Sequence, residues 1–114
     1  MRATYGPYPL IKVNFNDIEE LLEMWEEDHV VIAENEFVLS YKVLTHMWGP
    51  DWTLMIISEY AKFEDIAAAT AKRTELFEKK YTSESRRKAR TKKIRALFQG
   101  HTDAIVQENP KLTK

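Results

Sequence analysis

Cysteine is absent from the 114 residues, so no disulfide framework, thiolate metal site or cysteine nucleophile is available. That absence fits a reducing compartment, and a cytoplasmic setting is the expectation. Long apolar runs are missing too. Residues 54–57 (LMII) make a run of only four, and the opening MRATYGPYPL has no apolar core of signal-peptide length. Neither secretion by a retained signal nor a membrane span is expected. The chain has no phosphate-cradling glycine loop, nucleophile elbow, metal-ligand spacing or paired-carboxylate site, so no cofactor and no metal are expected.

Net charge is small as well, at −1, but the charges lie in blocks. Residues 17–28 (DIEELLEMWEED) carry seven acids and no base, and residues 86–95 (RRKARTKKIR) carry seven bases and no acid. No aromatic residue interleaves the basic block, and the balanced total attracts phosphate weakly, so nucleic acid is not an expected partner. The blocks read as solvated helix faces of opposite sign, suited to neighbouring positions. An apolar content of 44% and an aromatic content of 11% suit one globular domain spanning residues 1–114.

Periodicity supplies the elements. Residues 10–15 (LIKVNF) predict a first strand. Asn16 is placed to cap the following helix, with Glu19 three residues on. Ile18, Leu21, Leu22 and Trp25 form the apolar stripe of that helix, whose end falls between Asp28 and Asn35. Residues 37–48 and 52–60 predict two strands joined by a turn at Gly49-Pro50-Asp51. Because Pro50 does not suit a primed two-residue turn, a four-residue connection is expected, which sets Trp48 opposite Thr53, His46 opposite Met55 and Lys42 opposite Glu59. Residues 63–81 predict a second helix. A third starts at Ser83 or Ser85 and stops at Gly100. Residues 101–107 predict the last strand, ended by Asn109-Pro110.

The order β-α-β-β-α-(α)-β is the split βαβ pattern of a ferredoxin-like α+β fold, a four-stranded antiparallel sheet with its helices on one face. The central hairpin is apolar on both faces. One carries Phe37, Leu39, Tyr41, Val43, Thr45 and Met47 with Trp52, Leu54, Ile56, Ser58 and Tyr60. The other carries Val38, Ser40, Lys42, Leu44, His46 and Trp48 with Thr53, Met55, Ile57 and Glu59. If the helices cover the first, the second exposes a patch that monomers rarely tolerate. Covering it offers on the order of ten kcal/mol before association costs. A homodimer with its two sheets face to face is therefore expected.

The stretch VLSYKVLTHMWGPDWTLMIISEYAKFEDIAAA resembles the central hairpin and second helix of the dimeric α+β barrel superfamily, nearest to NIPSNAP-like and stress-responsive barrel-domain proteins. The resemblance rests on Val43-Leu44-Thr45-His46, the Gly49-Pro50-Asp51 turn, Ile57-Ser58-Glu59-Tyr60 and Phe63-Glu64-Asp65, with GHTDAIVQENPKL resembling a closing strand. It covers roughly residues 10–112 and includes no catalytic motif. It implies a small apolar ligand held between sheet and helices. Among superfamily activities it brings in cofactor-independent monooxygenases and isomerases, while the asparagine–tryptophan–histidine set of haem-degrading members is not evident.

Several residues are candidates for chemistry. His46, late in a strand, is either a general base or a packed interface histidine. His101 and Asp103, two apart on a strand, are a base with its orienting carboxylate or two metal ligands, or else Asp103 caps the strand beside a solvated His101. Trp25, Tyr41, Trp48, Trp52 and Tyr60 either wall a pocket for a flat ligand or pack the core. Glu59 is read as the partner of Lys42, and His29 as a cation at a helix end. The expectation is a homodimer that binds a small apolar or aromatic molecule, as a cofactor-independent oxygenase or isomerase if it is an enzyme. The alternative is a non-catalytic barrel protein acting as an interaction or assembly module.

Overall fold

The computed structural model describes residues 4–5, 10–47 and 53–114. Among these, six short strands run antiparallel: β1 (Thr4–Tyr5), β2 (Leu10–Val13), β3 (Ser40–Thr45), β4 (Leu54–Tyr60), β5 (Phe98–Thr102) and β6 (Val106–Gln107). Three helices, α1 (Ile18–Ala33), α2 (Glu64–Lys80) and α3 (Glu84–Leu97), connect them. β3 takes one edge of β4, while β1 and β2 share the other. β6 and β5 then pair with β1 and β2 respectively. The six pieces thus form four rows, last–first–third–second, which is the ferredoxin-like order. No helix among the described residues is long and apolar enough to cross a membrane.

The alternation of the strands and the stripes of the helices meet in one layer. Ile11, Val13, Leu21 and Leu54 form the buried nucleus, with Ile18, Leu22, Trp25, Ile94 and Leu97 packed on it from α1 and α3. Trp25 meets Phe98 edge-on, ring centroids 6.3 Å apart, a favoured aromatic geometry. Thr53 fastens β2 beside β4: its hydroxyl bonds both the N–H and the C=O of Val13 at 3.1 Å, and its own N–H donates to the Ile11 carbonyl at 2.8 Å. The opposed charge blocks lie side by side, joined by Arg90 to Glu27 and Asp28 and by Lys93 to Glu20 at 3.0 Å.

The structure corrects several local expectations. The hairpin is shifted by two residues, with Lys42 opposite Ile57 and Ser40 opposite Glu59. Ser40 Oγ, 3.4 Å from Glu59 Oε1, occupies the position expected of Lys42. His46 faces Thr53, to whose carbonyl its N–H donates at 2.9 Å, so the connection is longer than four residues. Because the slip is even, the side chains within β3 and β4 keep the expected faces. Residues 37–39 precede β3, and Val38 turns to the helix side instead. Asn16 lies in a 3-10 turn (Phe15–Asp17), and the first residue before α1 is Asp17, without a side-chain cap bond. Ser83 does cap α3, accepting from the Arg86 N–H. α3 stops at Leu97 rather than at Gly100, and β5 begins at the very next residue, Phe98, with no intervening turn. Gly100 sits within β5, paired with Lys12.

Candidate functional site

A cleft of about 410 Å³ lies between the helix layer and the sheet. Its floor is the inward set of the strands: Ile11 of β2, Tyr41 of β3, and Ile56, Ser58 and Tyr60 of β4. Period-two alternation brings the last three to one face. Its roof is helical, with Trp25, Asp28 and Val31 from α1, Ala69 and Arg73 from α2, and Ile94 and Arg95 from α3. Phe98, His101 and Asp103 close one end. Asn35, just past α1, ties the roof together. Its side-chain N–H donates to the Ala69 carbonyl at 2.9 Å, and its Oδ1 accepts from the Phe37 N–H at 3.2 Å.

The polar groups in the cleft are sharply differentiated. Burial pushes the Tyr41 phenol up to about 12; Arg73 offsets part of this, while Asp28 and Tyr60 add to it. Tyr60, 6% exposed, is raised for the same first reason, with Ser58 and Arg73 pulling the other way. Both phenols therefore stay neutral O–H groups near neutral pH. Asp28 is 5% exposed and paired: its Oδ1 lies 2.8 Å from Arg90 Nη2 and accepts the Tyr81 hydroxyl at 3.3 Å. Arg90 also donates to the Met24 carbonyl at 2.6 Å and lies over the Tyr81 ring at 5.2 Å. Burial likewise raises the Tyr81 phenol, against the pull of Arg90.

Among the residues singled out from sequence, Trp25, Tyr41, Tyr60, His101 and Asp103 line this one cleft. His101 Nδ1 is 3.4 Å from Asp103 Oδ2, and both side chains are about half exposed, at 54% and 52%. His101 is paired across the sheet with Ile11, so it shares the helix-facing side. Two groups are not a metal site, and no cluster of three or more metal-ligating side chains occurs among the described residues. His46 is half-buried just after β3 and is not among the cleft residues. Trp48 and Trp52, with the Gly49-Pro50-Asp51 turn, lie outside the described residues.

Sequence reasoning missed Asp28, Asn35, Arg73, Arg90 and Arg95. A signal for two of them was present. Leu21, Met24 and Val31 are the buried residues of α1, and their three- and four-residue spacing puts Asp28 in the same stripe. Ala69 and Leu76 are the buried residues of α2, and Arg73 falls between them at the same spacing.

No protein-family model matches the chain, and no curated protein matches it in sequence. Solved structures match it in shape. A NIPSNAP family protein of unknown function from Agrobacterium tumefaciens aligns at 15% identity and a TM-score of 0.64, over 96% of this chain and 92% of that one. SnoaB, a cofactor-independent oxygenase from Streptomyces nogalater, aligns at 12% and 0.63, over 99% and 98%. A dimeric protein of unknown function and ferredoxin-like fold from Bacteroides fragilis aligns at 16% and 0.53, over 94% and 96%. These likenesses establish the fold, which is ferredoxin-like and of the kind seen in NIPSNAP and SnoaB-like barrel proteins.

Proposed function

We propose that this protein binds a small apolar or aromatic molecule in the cleft, works as a homodimer joined through the reverse face of its sheet, and performs any turnover as a cofactor-independent oxygenase or isomerase. The observation that carries the ligand reading is the cleft itself. At about 410 Å³ it falls in the range of small-molecule sites. Ile11, Trp25, Val31 and Ile56 supply apolar wall, and a few polar groups converge on it.

The chemistry follows from the groups present. A phenol that remains protonated donates to a carbonyl oxygen and stabilises the negative charge an enolate develops there. An imidazole with a carboxylate beside Nδ1 takes a carbon-bound proton at Nε2. Tyr41 or Tyr60 with His101 and Asp103 would thus make a carbanion, which is reprotonated elsewhere in an isomerase or reacts with oxygen in an oxygenase. SnoaB, of the same fold, is a cofactor-independent oxygenase.

Three quantities support the dimer. The accessible surface is 8210 Å², against about 6500 Å² for a folded monomer of 13.4 kDa. The radius of gyration is 15.0 Å, against about 13 Å for a compact domain of this length. The thinnest extent is 19 Å, the depth of one sheet and one helix layer, with Leu44 of β3 left 40% exposed on the other side.

Titration of the neutral probe 1-naphthalenemethanol, followed by tryptophan fluorescence, tests the ligand reading. Saturable binding is expected, to be abolished by Ala69→Leu, which fills the roof. Absence of saturable binding at millimolar concentration, by this alcohol and by anions of the same ring system alike, would overturn it in favour of an assembly module.

A further inference from the structure

The cleft does not end at its roof. A second hollow of about 720 Å³ runs outward between α2 and α3, and Asp28, Thr70, Arg73, Thr91, Ile94 and Arg95 line both. The two spaces therefore adjoin across these residues, one apolar at the sheet and the other strongly basic outside. Arg87, Lys88, Arg90 and Lys92 join Arg73 and Arg95 along the outer part, against only Asp28 and Glu78.

Half of these six cations are already committed. Arg90 is held by Asp28 and Glu27, Lys88 by Glu84 at 2.9 Å, and Arg87 by the Tyr81 carbonyl at 2.6 Å. Arg73, Lys92 and Arg95 have no carboxylate partner among the described residues. Arg73 lies over the Phe77 ring, 5.3 Å from its centroid, a contact that occupies the guanidinium face and leaves its N–H edge available. Two uncommitted guanidinium groups thus stand on facing helices at the junction of the apolar and basic spaces. The acids nearby do not cancel them: Asp28 is neutralised by Arg90, Asp103 lies beside His101, and Glu78 lines only the outer hollow. Tyr41 and Tyr60 add no negative charge, since both phenols stay protonated.

We infer that the ligand of this cleft is an amphipathic anion, its apolar body against the sheet and its carboxylate or phosphate end between Arg73 and Arg95. This deepens the ligand reading above and rests on it. Guanidinium forks match the paired oxygens of either group, and a junction that is apolar on one side selects a molecule charged at one end only.

Three probes of one ring system separate the possibilities: 1-naphthoate, 1-naphthyl phosphate and the neutral 1-naphthalenemethanol. At least one anion is expected to bind tenfold or more tightly than the alcohol, and which one does identifies the head group. The double variant Arg73→Gln/Arg95→Gln should erase that advantage, bringing anion and alcohol affinities within twofold of each other. Both side chains are exposed, so the melting temperature should stay near wild type. Lys92→Gln, which alters only the outer hollow, should keep the advantage. Equal binding of anions and alcohol, an advantage that survives the double variant, or one lost equally in Lys92→Gln overturns the inference while the cleft still binds. If no probe binds, the ligand reading falls and takes this one with it.

Discussion

The two sides of the β3–β4 hairpin are made of similar residues and end in different surroundings. On one side Leu54 is fully buried and Tyr60 is 6% exposed, beneath all three helices. On the other, Leu44 is 40% exposed and Met55 and Ile57 are only half-covered. Hydrophobicity does not decide which side is buried; connectivity does. The crossovers of a split βαβ pattern share one hand, so every helix arrives on the same face of the sheet. None of the three helices covers the opposite face.

Leu54→Ala should lower unfolding free energy by about 3 kcal/mol in urea titrations, through lost burial and the cavity left behind. Leu44→Ala, measured at protomer concentrations low enough to populate the monomer, should cost about 1 kcal/mol or less. Equal losses would mean that the two faces are equally well packed. At the reverse face, Ile57→Lys should weaken self-association about a hundredfold, or ~2.7 kcal/mol, measured by sedimentation as a shift from dimer toward monomer at micromolar concentration. A wild-type protein that sediments as a monomer there would remove the dimer from the account.

The remaining effect is a pH slope. The unfolded Tyr41 phenol ionises near its ordinary value of 10.0, whereas the folded one holds its proton to about 12. Between those values the folded state binds more protons than the unfolded, so stability falls as pH rises. This contribution is complete below pH 10 and gone once pH passes about 12. Tyr41→Phe should flatten that part of the decline in denaturation midpoints, and an unchanged slope would place Tyr41 in water.

Much of the fold could be read from local pattern, because the stripe of α1 and the alternation of β4 are short-range signals. Register was harder. The attraction of Lys42 for Glu59 is worth a few tenths of a kcal/mol, too little to fix the register of a hairpin. Ser40 stands there instead. The same limit hid the polar parts of the cleft. The charge blocks announced that acidic and basic faces would meet, but Asp28 differs from Glu26 or Glu27 only in where the helix turns it. Arg73 and Arg95 gain meaning only when α2 and α3 are set side by side, a long-range relation that no window of sequence contains.

The seamless passage from α3 into β5 has a mechanical consequence. Leu97 belongs to the helix and Phe98 to the strand, so nothing between them can take up slack. The backbone that presents Arg95 to the basic hollow and the backbone that presents His101 to the mouth are two arms of one lever, pivoting at a single peptide. Between a leaning α3 and the imidazole end there is then no loop, only the irregularity at Gln99 where the pairing skips from Phe98 to Gly100.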